Sequence, residues 1–87
     1  MINEKCFVVT SLIEDLDDNV AEVNVIGVER DEKSAKELME KAFTEIEENY
    51  KENDIEYHYD KENPNCYIIA NKMEILSIEV HESEVLI

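Results

Sequence analysis

Residues 31–53, DEKSAKELMEKAFTEIEENYKEN, decide the fold. Ala35, Leu38, Met39, Ala42, Phe43, Ile46 and Tyr50 recur at helical spacing and draw one apolar stripe along a helix. A helix with a single stripe buries one side against a partner layer and leaves the other in water. Asp31 is placed to cap its N-terminus, where acids also suit the positive pole of the helix dipole. The turn formers Asn53 and Asp54 mark its end. Glu32–Lys36, Glu37–Lys41 and Glu47–Lys51 stand one helical turn apart with the acid first, the favourable order for a solvated face.

The flanking segments supply the partner layer. Residues 5–12, KCFVVTSL, are aromatic and β-branched, and alternation sends Phe7 and Val9 one way and Cys6, Val8 and Leu12 the other. With both sides apolar, this strand is expected inside the sheet rather than at its edge. Residues 20–29, VAEVNVIGVE, alternate Glu22 and Asn24 with Val23 and Val25, a second strand. The connection between the two strands is too short for a parallel crossover, so they pair as a hairpin. Gly27 is the only glycine and marks a bulge or a close backbone approach. After the helix, residues 55–60 (IEYHYD) put Ile55, Tyr57 and Tyr59 opposite Glu56, His58 and Asp60. CYIIA at 66–70 and the alternating MEILSIEVHESE at 73–84 complete the order ββαβββ. The expectation is a two-layer α+β domain over residues 1–87: a mostly antiparallel sheet of about five strands under one long helix. Strand order stays open, because the helix connection suits either a hairpin-like or a crossover path.

Composition limits function. The 87 residues suit one domain with a modest core. Twenty-three acids against eight bases give a formal charge of −15, which repels phosphate backbones and anionic membranes and attracts basic proteins. Direct nucleic-acid binding is therefore not expected. No apolar run approaches the roughly 20 residues that span a bilayer, and no signal peptide is visible, which points to the cytoplasm. Cys6 and Cys66 are isolated in strand-like segments and read as buried free thiols, with a disulfide left open.

Residues 13–19, IEDLDDN, imitate a calcium loop, with Asp15, Asp17 and Asn19 at its first, third and fifth positions. The imitation fails at Val20, where the motif needs glycine, and at Ile26, where it needs glutamate. Cys6, His58, Cys66 and His81 lack the paired spacing of a zinc site. A single glycine excludes a glycine-rich phosphate cradle, and no nucleophile elbow is present. A cysteine–histidine pair such as Cys66 with His58 or His81 is conceivable, and it lacks an orienting group. The expectation is a non-enzyme without cofactor or metal.

The acids remain. Glu14, Asp15, Asp17 and Asp18 have no base among them, and neither do Glu74, Glu79, Glu82 and Glu84. Asp54, Glu56, Asp60 and Glu62 have only Lys61 nearby in sequence. Glu56 and Asp60 are expected on one strand face, where alternate residues stand about 6.8 Å apart and form a ladder of negative charge. The candidate partner-binding residues are thus Glu14, Asp15, Asp17, Asp18, Asp54, Glu56, Asp60 and Glu79, set against the plainer reading that acidity serves solubility.

The EDLDD cluster, the AKELMEKAFTEIEENY helix and the acidic tail MEILSIEVHESE together resemble small acidic phage proteins directed against host defence, of the anti-CRISPR and anti-restriction type. The resemblance covers composition and element order along the whole chain. It implies an inhibitor that presents carboxylates where a nuclease or CRISPR effector expects phosphates. Residues 26–42, IGVERDEKSAKELMEKA, are similar to the strand–turn–helix of small phage and bacterial domains, which implies a fold alone. A second reading is a structural or assembly domain, monomeric or homodimeric, whose contacts are Tyr57, Tyr59, Tyr67 and the apolar run Val85-Leu86-Ile87.

Overall fold

In a computed structural model describing residues 3–86, with side chains for 4–84, the elements follow the order β1 (Asn3–Asp15), β2 (Val20–Glu29), α1 (Glu32–Glu52), β3 (His58–Asp60), β4 (Cys66–Ala70) and β5 (Glu74–Leu86). The sheet order is β2-β1-β5-β4-β3, antiparallel throughout. The fold is the expected α+β layer pair, and β1 lies inside the sheet as its two apolar sides required. Helix α1 leaves the β2 edge and crosses one face to deliver the chain to β3 at the opposite edge.

The helix begins as its sequence dictates. The Asp31 carboxylate accepts the Ser34 amide at 2.7 Å, and that bond holds its pKa below the ordinary value. The helix ends in a Schellman turn: Asp54 N–H donates to Lys51 O at 3.3 Å and Ile55 N–H to Tyr50 O at 2.9 Å. Asp54 occupies the left-handed position of that turn, with φ 55. Glu32–Lys36 and Glu47–Lys51 form ion pairs at 3.3 and 4.0 Å, whereas Glu37 and Lys41 are not paired.

Val9, Ala35, Met39, Phe43, Tyr50, Ile69, Leu76 and Ile78 form the core between the two layers. Phe43 meets Tyr59 and Tyr67 edge to face, each with centroids 5.7 Å apart, and Tyr57 packs on Tyr50. Lys61 sits over the rings of Phe43 and Tyr67 and pairs with Glu40, which leaves it turned toward the helix and not toward Asp60. The tyrosines expected as dimer contacts all meet rings of α1, and Tyr59 remains 58% exposed beside it. Ile87 and the side chains of Val85 and Leu86 lie outside the described residues.

At the β2 edge the fit is different. A Cβ at Gly27 would stand 2.6 Å from Leu38 Cδ2, so the glycine is what lets α1 approach the sheet here. A register shift opposite Val9 and Thr10 brings Ile26 and Gly27 toward the helix. The same shift turns Val23 and Val25 to the uncovered face of the sheet, where Val28 also stands; they are 67%, 63% and 60% exposed.

Candidate functional site

Three segments meet at one end of the sheet. In the β1–β2 turn, Asp15 Oδ1 accepts the amides of Asp17 and Asp18 at 2.9 and 3.2 Å, and Asn19 takes a positive φ of 58. The Leu16 amide donates to Met73 O at 2.9 Å, tying this turn to the β4–β5 turn. That turn is closed by Asn71, whose side chain accepts the amides of Met73 and Glu74 at 2.7 and 3.1 Å. Asn71, Lys72 and Met73 in turn share a shallow cavity of about 330 Å³ with Asp54, Ile55 and Glu56 from the C-terminal end of α1.

Six of the eight expected residues thus gather at one end: Glu14, Asp15, Asp17, Asp18, Asp54 and Glu56. Among the described residues, none of these six has a cation within 4.0 Å. The negative pole of α1 points into the same end and adds to the field. Leu16 and Met73 lie in its midst, 51% and 55% exposed, and sequence reasoning had not singled them out. Their signal was available: each is a large apolar residue inside a polar turn.

Asp60 and Glu79 stand elsewhere. Asp60 lies on the uncovered face of β3 and accepts the Glu62 amide at 2.9 Å. Glu56 precedes β3, so the Glu56–Asp60 ladder does not form; the strand is only three residues long because Ile55 is held in the helix-terminal turn. Glu79 pairs with His81 at 3.1 Å, and Glu82 pairs with Lys5 at 3.2 Å. In the tail, Lys5 thus pairs with Glu82 across strands and the His81 ring meets Glu79, whereas among the described residues the six acids of the turn-bearing end have no such neighbour.

Cys6 and Cys66 are free and half-buried, not fully buried. The Cys66 thiol lies 3.6 Å from Glu79 Oε1. Burial, Glu79 and Asp60 all push its pKa up, the opposite of nucleophile activation. His81 bonds Thr10 at 3.0 Å as well as Glu79. Among the described residues, no three His, Cys, Asp or Glu side chains converge as metal ligands, and no helix is long and apolar enough to cross a membrane.

Compared with protein-family models, curated proteins and solved structures, the chain matches none.

Proposed function

We propose that this chain is a non-enzymatic, acidic protein-binding domain that docks its turn-bearing end on a basic, nucleic-acid-handling partner and competes with nucleic acid there. A nuclease or CRISPR effector in a host cytoplasm is the kind of partner this chemistry fits, in keeping with the resemblance to phage inhibitors of host defence. One observation carries the reading. Asp54 stands at a left-handed backbone position that glycine fills best, and beside the negative pole of α1, where folding prefers a cation. Asp tolerates that backbone, but its charge opposes the helix pole, so Asp54 favours a use for charge at this end.

The test is capture from a bacterial host lysate at low and high ionic strength, with wild-type bait and a bait carrying Glu14→Gln, Asp17→Asn, Asp18→Asn and Glu56→Gln. Asp15 is left intact because it closes the turn. A basic nucleic-acid-binding protein retained by the wild type at low salt, and lost from the neutralised bait, is the expected result, since exposed charges are screened within about 10 Å at 0.1 M salt. Equal retention by both baits refutes the reading.

A second reading, self-assembly, draws on the uncovered valines of β2, whose outer edge has no partner strand among the described residues. The two readings predict opposite salt responses: raising salt weakens docking on a basic partner and strengthens association between copies of charge −15.

A further inference from the structure

Between α1 and the β2 side of the sheet runs an open groove of about 440 Å³, within the size range of ligand pockets. Its origin is the unequal bulk of the two flanks of the helix. Toward β3 and β4 the space is filled by Phe43 with Tyr59 and Tyr67. Toward β2, Leu38 presses on Gly27, but beyond it the helix offers the small Ala42 and then Ile46. The groove is therefore tight at Leu38 and open along the following turns of α1, toward the acidic end.

Ile13, Ile26, Ile46 and Leu76 make an apolar floor drawn from both layers. Glu45 and Glu74 stand at its mouth, and Glu22 opposes Ile13 on the same side of the sheet. Among the described residues, no lysine, arginine or histidine lines it. Glu74 accepts the Tyr50 hydroxyl at 3.0 Å and pairs in register with Asp15, so the groove is continuous with the acidic end.

We propose that this groove is an anchor pocket for one aromatic or branched aliphatic side chain carried on a basic segment of a protein partner. The inference rests on the docking function proposed above and adds what that function lacks. Charge alone steers and orients, whereas a buried apolar anchor supplies most of the affinity in typical interfaces. Charge complementarity selects the occupant. A neutral apolar ligand gains nothing from the carboxylates, an anionic one is repelled, and a cation without an apolar part leaves the isoleucine floor wet.

Two probes separate this inference from the function beneath it: a lysine-rich peptide carrying a single tryptophan, and the same peptide with serine in its place. Binding is measured by calorimetry at several salt concentrations, with methyl NMR shifts at Ile13, Ile26 and Ile46 reporting location. Both peptides are expected to bind with the same salt slope, the tryptophan peptide about tenfold tighter. Only that peptide is expected to move the groove methyls. Asn49→Trp, at an exposed helix position lining the groove, should remove the advantage while circular dichroism shows an intact fold. Ala42→Leu, which fills the groove from its floor, should do the same. Equal affinity of the two peptides, or an advantage that survives both variants, overturns the anchor pocket and leaves acidic docking standing. Failure of both peptides to bind at low salt overturns both. An uncharged tryptophan peptide binding as tightly as the basic one also overturns the proposal, because it removes the carboxylates from recognition.

Discussion

Replacing Asp54 tests directly whether the acidic end is held against the preference of the fold. Two variants divide the effect. Asp54→Asn keeps a side chain that tolerates the left-handed backbone and removes only the charge beside the helix C-terminus, worth about 0.5 kcal/mol at an exposed site. Asp54→Gly also relieves the backbone at φ 55. That relief is of order 1–2 kcal/mol for an ordinary residue, less for Asp, and is offset by about 0.5–1 kcal/mol of chain entropy. The sum predicts stabilisation of about 0.5 kcal/mol for Asn and about 1 kcal/mol for Gly. In a domain of this size 1 kcal/mol raises Tm by about 4–8 °C. Urea and thermal unfolding at neutral pH measure the first quantity, and salt-dependent binding to a lysine-rich peptide measures the second. Both variants should be more stable and bind more weakly. If Asp54→Gly is less stable than wild type, the carboxylate is a structural cap, and the argument that this end carries misplaced charge is wrong.

Tyr50 provides a pH test: burial first, then Glu74, push its pKa from 10.0 up to about 12. A folded pKa above the unfolded one means that its contribution is whole below pH 10 and lost as pH rises through 12, about 3 kcal/mol in all. Tyr50→Phe should flatten that alkaline loss in unfolding titrations. Gly27→Ala should cost about 1–3 kcal/mol by displacing Leu38, and Leu38→Ala in the same chain should give back part of it, a coupling readable from a double-mutant cycle. Phe43→Leu removes two edge-to-face contacts and should cost about 2 kcal/mol in urea unfolding, with Tyr59 and Tyr67 losing their ring-current shifts.

Much of the fold was legible because its signals are local. The stripe from Ala35 to Tyr50, the cap at Asp31 and the bounds of β2 and β4 each depend on residues within a few positions. Strand order was not legible, since nothing local says that α1 spans the sheet from edge to edge. The outward turn of Val23 and Val25 was hidden for a related reason. A shift of one residue in register exchanges the two sides of a strand, and the bulge lies beside Gly27, where the helix residue Leu38 comes close. At the candidate site, six acids were found by their lack of nearby bases. Asp60 and Glu79 were assigned by the same rule and belong to the uncovered face, because alternation sets them opposite the core-facing Tyr59 and Ile78; there Glu79 meets His81 and Asp60 closes its own turn. The groove was invisible for want of a local signal: Ile13, Ile26, Ile46 and Leu76 come from four elements.

The position of β5 between β1 and β4 bears on how the molecule acquires its shape. The first and last strands of the fold are neighbours at the middle of the sheet, joined by contacts between distant residues such as Thr10 and His81, 71 positions apart along the chain. Until β5 arrives, the β1–β2 hairpin and the β3–β4 pair have no shared strand, and two-stranded units are marginal in water. The entropy of closing that long loop falls before any central pairing compensates it, so folding is expected to be slow for the size of the domain and all-or-none. The helix alone cannot serve as a stable intermediate, because its stripe has no floor before the centre is built. A chain lacking β5 therefore leaves the β1–β2 hairpin, with its exposed valines, without its central neighbour.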